Sequence, residues 1–418
     1  MKLAQFPHQP HLTYCTNIHP GETWADVFDN LQTHLVPLKR RLCPAASFGI
    51  GLRLAALAAQ ELVQGDRLRT LRQWLDTENL YVFTLNGFPY GGFHHQVVKD
   101  RVYAPDWTQP ERADYTLKLV KILAALIPEG IEGGISTVPL SYKPWWATVD
   151  EAHTVFRSSS LQLARVVAAL ASLQQDSGIE IHIDLEPEPN GGIENAAETI
   201  EFFHSWLLPV GGEWLARQLG CDRQRAESLL RKHITVCYDT CHFAVEYEDP
   251  ADAIARLQAA GIRVGKVQIS SALQVPLPAD RISRQAVAKR LQPFAESTYL
   301  HQVIARQQGG QLSRYPDLTE ALPELVSSDT QEWRIHFHVP IFLQDYQILK
   351  STQNHISSTL ALLGNTLECQ HLEIETYTWD VLPPELKLDI QDSIQREYKW
   401  VLGELRALHP DAPSSLMV

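Results

Sequence analysis

The sequence predicts an α/β fold, a (β/α)8 barrel. Short β-rich runs alternate with helical patterns along the chain, and eight such runs can be counted. A last helical pattern, "LDIQDSIQREYKWVLGELRAL", closes the series. The competing fold is a doubly wound open sheet, but no G-x-G-x-x-G loop follows the first strand. No Pro-, Gly- or Ser-rich linker and no internal repeat divides the 418 residues, so 1–418 reads as a single barrel domain.

The first run is 11–20, "HLTYCTNIHP", followed by the helical "TWADVFDNLQTHL". Helices through 48–64 and 67–76 precede the second run, 79–92. The third, 132–143, follows "ERADYTLKLVKILAALI", and the fourth, 178–192, follows a long helical pattern over 150–175. The fifth is "HITVCYDTCHFAVEYEDP" after "DRQRAESLLRKH", and the sixth is 261–273 after "PADAIARLQAAG". The seventh is 332–342, "EWRIHFHVPIF", and the eighth is 371–383, "HLEIETYTWDVLP". Segment 274–331 is too long for a simple βα connection and reads as a helical insertion between strands six and seven. Segment 86–107, dense in Pro, Gly, Tyr and His, reads as an ordered loop over the barrel mouth.

Composition narrows the partners. Lys and Arg total 36 against 49 Asp and Glu, a net charge of −13, and no basic run offers a groove for phosphates. Nucleic acid is therefore not an expected partner. No apolar stretch approaches the ~20 residues of a membrane span, and the N-terminus lacks the apolar core of a signal peptide. The six cysteines are scattered, which reads as a reduced, cytoplasmic protein. Cys237 and Cys241 have no second cysteine pair, so a structural zinc site is not expected there.

In a (β/α)8 barrel the chemistry sits at the C-terminal ends of the strands. Here strand four ends in Asp184, Glu186 and Glu188, and strand five in Asp239 and then His242. Lys266, Gln268 and Ser270 share one face of strand six, His336 and His338 one face of strand seven, and Glu373 and Glu375 one face of strand eight. Each has an ordinary reading. Asp239 alone could cap the segment after it, and either histidine alone could be a hydrogen-bonded interior residue. Glu373, one layer below Glu375, reads as a buried partner of Lys266, and His233 lies at the far end of its strand. Several carboxylates converging on one mouth, however, would repel one another and carry raised pKa values. A divalent cation removes that cost. Oxygen ligands with one or two imidazoles suit Mn, Mg, Fe, Co or Zn without selecting among them.

The motifs also resemble known families. "CYDTCHFA" resembles the fifth-strand element of xylose-isomerase-like barrels, in particular endonuclease-IV-type enzymes and sugar epimerases. The resemblance implies metal ligands at Asp239 and His242. "LEPEP" resembles the strand-four element, which implies a ligand or bridging role for Glu186. "VQISSA" is similar to the strand-six element but has Gln268 where a ligand histidine is usual. "HFHVP" and "EIET" imply His338 and Glu375. Strand three, "STVPLSYK", has no histidine for a three-metal nuclease cluster. The whole chain, including 86–107, resembles the EboE-type metabolite traffic proteins of bacterial ebo gene clusters. That resemblance implies a role in moving or making a small polar or prenylated precursor, beside other proteins of the same cluster.

The expected activity is a metal-dependent isomerase or epimerase acting on a sugar-like or cyclitol-like metabolite. Its metal would rest on Glu186, Asp239, Gln268 and Glu375, with His242 and His338 in contact or one layer out. Glu186, Glu375, His338 and Lys266 are the candidate catalytic residues. Asn17, His19, Asn86, His94, His95, Trp107 and His336 are the candidate substrate contacts. Phe88, Trp145 and Trp146 are further candidates to pack against a ring. The alternatives are a metal-dependent phosphoesterase and a non-catalytic metabolite-binding barrel of a transport system.

Overall fold

The computed structural model describes residues 1–408 apart from 5, 381, 383, 385, 386 and 388. Its frame is one eight-stranded sheet. The strands are β1 (His11–Tyr14), β2 (Phe48–Arg53), β3 (Leu80–Asn86), β4 (Gly133–Thr137), β5 (Ile181–Leu185), β6 (Ile234–Asp239), β7 (Val264–Ile269) and β8 (His371–Ile374). They are hydrogen-bonded in the order β1-β8-β7-β6-β5-β4-β3-β2, and every pairing is parallel. The edges β1 and β2 meet through a parallel bridge between Cys15 and Gly51. Thr13 tightens that seam, its hydroxyl donating to Gly49 O at 3.0 Å and accepting from Gly51 N at 2.8 Å. The result is a (β/α)8 barrel. All strand residues are buried, as a parallel sheet filled inside and covered by helices outside requires.

The outer helices follow their capping signals. The longest, Val149–Ser177, starts at a reciprocal Thr148–Glu151 capping box and stops at Gly178, whose φ is 74°. Arg223–His233 begins on Asp222, whose side chain accepts from Arg225 N.

The strand census differs from the expectation in two places that cancel. Phe48–Arg53 lies inside the segment expected to be helical, yet it is barrel strand β2. Phe48, Ile50 and Leu52 are wholly buried, while Gly49 and Gly51 mark close approaches by neighbouring side chains. A Cβ on Gly49 would stand 2.7 Å from Phe83, and one on Gly51 would stand 1.7 Å from Glu373 Oε1. Two glycines remove the apolar alternation that would have signalled a strand. Conversely, the expected seventh barrel strand is not in the barrel. Thr330–Ile335 pairs antiparallel with Leu273–Pro276 and Val303–Gln307 in a second, six-stranded sheet.

The insertion is mixed where a helical one was expected. Segment 274–331 holds the helices Arg281–Leu291 and Leu318–Ala321, and also strands of the second sheet: Val303–Gln307, Leu312–Tyr315 and the start of Thr330–Ile335. Val303, Ala305, Trp333 and Ile335 are wholly buried. The insertion and the 86–107 loop meet. Val98 N and Lys99 N both donate to Thr298 O, at 2.8 and 3.0 Å, and Lys99 Nζ reaches Asp317 Oδ2 at 2.6 Å.

Candidate functional site

The C-terminal ends of the strands open into a pocket whose polar wall holds Asn17, Asn86, Glu186, Glu188, His242 and Glu375. Local chain stiffness places the acidic pair. In "EPEP" the prolines restrict the backbone to extended conformations, so Glu186 and Glu188 follow β5 two residues apart. Asp239 ends β6 and Glu375 directly follows β8.

Asp239 performs both of the jobs the sequence left open. Its Oδ1 caps the helix Thr240–Val245, accepting from Cys241 N at 2.7 Å and His242 N at 3.1 Å, and it also accepts from Ser270 Oγ at 2.5 Å. Its Oδ2 turns to the centre, 3.8 Å from His242 Nε2 and 4.0 Å from His338 Nε2. Glu375 is held on both oxygens. Oε1 accepts from Asn17 Nδ2 at 2.7 Å and Asn86 Nδ2 at 3.0 Å, and Oε2 accepts from Gln268 Nε2. Gln268 also reaches Asp239 Oδ2 at 3.4 Å, while its Oε1 accepts from Cys237 Sγ at 2.8 Å. Gln268 therefore presents its amide nitrogen to the carboxylates. To offer an oxygen as a ligand it would have to turn over and give up the Cys237 bond.

Three imidazoles surround this group. His242 Nδ1 lies 3.0 Å from Pro187 O, and His336 Nδ1 lies 2.8 Å from Gln302 Oε1. Their Nε2 atoms face each other at 3.1 Å. His338 Nδ1 donates to Glu375 O at 2.9 Å, and its Nε2 is buried with no hydrogen-bond partner among the described residues. Glu186 Oε2 and Glu188 Oε1 are likewise buried and unpartnered. Ligand atoms of Glu186, Asp239 and Glu375 lie within 4.8 Å of one another, and so do those of Asp239, His242 and His338 and those of Glu188, His242 and His336.

The electrostatics follow from burial. Desolvation, then Glu375, Asp239 and Glu188, hold the Glu186 carboxyl well above the carboxylate range. Desolvation followed by Asp239 and Glu373 pushes Glu375 up to about 8, and burial pushes Glu188 to about 8. Burial drives His242 down to about 4 and His336 well below the usual imidazole value. The site thus favours protonated Glu186, Glu188 and Glu375 and neutral rings. A divalent cation would favour ionised carboxylates while still taking neutral rings, with the orphaned oxygens and nitrogens as its ligands.

The other expected site residues are distributed differently. Lys266 is wholly buried in an ion pair with Glu373, with Ser136 Oγ at 3.3 Å. His19 is buried against Tyr14 OH at 3.0 Å and stacks on His34. His94 Nε2 lies 2.5 Å from Asn17 O, so it braces the backbone behind Asn17, and His95 is exposed. Trp107 is core, its Nε1 donating to Thr137 Oγ1 at 3.2 Å. Trp145 and Trp146 donate to Asp100 and Ser141. Of the aromatic candidates Phe88 lines the pocket, together with Tyr103, Tyr299 and Tyr377. Tyr299 and Gln302 come from the insertion, where no motif marked them. Glu188 stood in the strand-four ending, and its position two residues from Glu186 was the signal for it.

No family model matches the chain, and no curated protein matches it. Among solved structures it is similar to an IolI protein with a bound zinc atom, at 11% identity over 95% of this chain and 99% of that one, TM-score 0.48. It is also similar to a xylose isomerase-like TIM barrel protein from Mycobacterium smegmatis in complex with magnesium, at 10% identity over 98% and 99%, TM-score 0.46. A xylose isomerase domain protein from Planctomyces limnophilus aligns at 12% identity over 87% and 89%, TM-score 0.42. Two of the three carry xylose isomerase in their names, and at these identities no residue's role is carried across. Fold and site together define this chain as a (β/α)8 barrel with a buried carboxylate and imidazole centre at its mouth. Among the described residues, no helix is long and apolar enough to cross a membrane.

Proposed function

We propose that this barrel is a metal-dependent isomerase or epimerase acting on a small polyhydroxy carbonyl compound of the sugar or cyclitol kind. The observation that carries the reading is the triad Glu186, Asp239 and Glu375, buried with ligand atoms within 4.8 Å of one another. These three residues would hold the divalent ion, with His338 and His242 beside them. When bound, the ion polarises a substrate carbonyl and acidifies the neighbouring C–H or O–H.

The chain's own residues divide the rest of the work. Glu375 is immobilised by three amide N–H donors, which suits it to a fixed ligand position. Glu186 Oε2 has no such partner, so it is the atom that removes a proton from the carbon beside the carbonyl. Return of that proton to the former carbonyl carbon, with the hydroxyl proton passing to the former carbonyl oxygen, gives an isomer. Return to the opposite face needs a second acid, and Glu188, neutral at pH 7 with its pKa near 8, is a pocket carboxyl that can supply it. Phe88, Tyr299 and Tyr377 give the pocket an apolar side for a ring face. The likeness of the chain to EboE-type proteins supports a cytoplasmic precursor of the same gene cluster as substrate.

A phosphoester hydrolase is the second reading, favoured by the additional ligand group Glu188, His242 and His336 and by Lys99 in the pocket wall. Proton exchange separates the two. Metal-loaded protein in D2O with a panel of ketoses, aldoses, their phosphates and keto-cyclitols should exchange a carbon-bound proton of at least one compound, followed by NMR. Glu186→Gln should abolish that exchange. Phosphate release without any exchange would replace the first reading by the second.

A further inference from the structure

A second cluster lies inside the barrel, toward the N-terminal ends of the strands. Glu132 immediately precedes β4, His182 is the second residue of β5, and His371 opens β8. Both rings are wholly buried, and the Glu132 side chain is 14% exposed at the edge of a surface pocket. One ligand atom from each of the three lies within 4.8 Å of the others.

The hydrogen bonds fix where the lone pairs are. His182 Nδ1 lies 2.7 Å from Asp184 Oδ1, and Thr235 Oγ1 donates to the same oxygen at 2.5 Å. The carboxylate accepts, so Nδ1 carries the hydrogen and Nε2 is a bare lone pair. Among the described residues that Nε2 has no hydrogen-bond partner, and it stands 3.9 Å from Glu132 Oε1. His371 Nε2 donates to Glu132 O at 3.0 Å, which leaves its Nδ1 bare, and that atom also has no partner among the described residues. Arg263 Nη1 fixes the Glu132 carboxylate at 2.8 and 3.0 Å. A carboxylate orienting a histidine whose other nitrogen is free is the outer arrangement of a metal-bound imidazole.

The strands make room for the cluster. A Cβ on Gly134 would stand 2.5 Å from His371 Nδ1 and 2.9 Å from Asp184 Oδ2, and one on Gly265 would stand 2.1 Å from Asp184 Oδ1. One extra proton on His182 would satisfy its Nε2 but leave His371 Nδ1 bare. A single cation satisfies both. Two imidazoles and one carboxylate suit Zn²⁺ rather than the oxygen-seeking Mg²⁺ or Ca²⁺.

We propose that Glu132, His182 and His371 form a zinc site in the floor of the barrel, separate from the mouth, with Asp184 orienting His182. It ties β5 to β8, strands two places apart from pairing in the sheet order, and braces the barrel without taking part in the reaction.

The test uses the full chain dialysed against zinc. The Asp239→Ala, Glu375→Ala variant, stripped of mouth ligands, should retain roughly one equivalent of zinc, and adding His371→Gln should remove it. In the otherwise native protein, His371→Gln should lose about one equivalent and lower the zinc-dependent rise in melting temperature. Unchanged zinc content and melting temperature in His371→Gln would overturn the proposal. Should that variant not fold, zinc-edge anomalous diffraction from native crystals decides. A peak between Glu132 and the two rings supports the site, and its absence at zinc concentrations that fill the mouth refutes it.

Discussion

His242 Nε2 and His336 Nε2 face each other at 3.1 Å, and neither holds a hydrogen to bridge the gap. The acceptors Pro187 O and Gln302 Oε1 take the Nδ1 hydrogens, at 3.0 and 2.8 Å. The Gln302 orientation is itself set, because its Nε2 donates to Pro189 O at 3.0 Å. Burial keeps both rings neutral near pH 7. Two lone pairs at this distance repel unless a cation lies beside them. His242→Ala and His336→Ala should therefore each weaken divalent metal binding by about tenfold or more, and the double variant should lose little beyond either single change. Competition with a chromophoric chelator measures this. Fully additive losses would separate the two rings into independent roles.

Metal loading should release protons. Glu375, with a pKa near 8, and Glu186, held well above the carboxylate range, are largely neutral at pH 7 without metal. A bound cation needs both ionised, so binding expels roughly one to two protons and affinity rises with pH through neutrality. Calorimetry in buffers of different ionisation enthalpy reads the number directly. A binding enthalpy independent of buffer would contradict the assignment.

Gly51→Ala should damage the barrel seam. The added Cβ would meet Glu373 Oε1, the carboxylate that pairs with Lys266 inside the barrel. Separating a buried ion pair costs about 3–5 kcal/mol. Denaturant titration should show a loss of that order, and a loss below about 1 kcal/mol would mean that Glu373 moves freely.

Glu397 offers a pH test away from the ligands. It is wholly buried on the helix Ile390–Leu408, accepts from Thr376 Oγ1 at 2.7 Å, and is raised to about 8 by burial. Its folded pKa exceeds the unfolded value of about 4.3, so the folded state holds the proton more tightly. Stability from the neutral form is complete below about 4.3 and disappears as pH rises through about 8, at up to ~1.4 kcal/mol per unit. Glu397→Gln should flatten that decline relative to the native protein between pH 5 and 8. Parallel slopes for the two proteins would refute the assignment.

Much of the site was legible because barrel strand ends are where polar residues have few structural uses. Glu186, Asp239, His242, His338 and Glu375 could all be named from position and alternation, and they converge. Asn17 and Asn86 were expected to bind hydroxyls; in the structure both line the pocket and their amide nitrogens donate to Glu375 Oε1, a contact that no local pattern carries. Strand β2 escaped because Gly49 and Gly51 yield their space to Phe83 and Glu373, a long-range fact that no local pattern carries. Thr330–Ile335 was legible as a strand, but a β pattern does not say which sheet it joins. His336 and His338 still reach the mouth, just beyond that strand's end, where His338 Nδ1 bonds Glu375 O at 2.9 Å. Tyr299 and Gln302 were hidden because the insertion that carries them folds over the pocket from far along the chain.

The central claim is that the mouth holds a divalent ion on Glu186, Asp239 and Glu375. Elemental analysis of the protein purified without chelator tests it most directly, alongside Asp239→Ala and Glu375→Ala prepared identically. The native protein should carry at least about one tightly held divalent metal beyond what either variant retains, with all three folded by circular dichroism. Native protein and variants with equal metal content, or a native protein with none that still folds and turns over substrate, would contradict it.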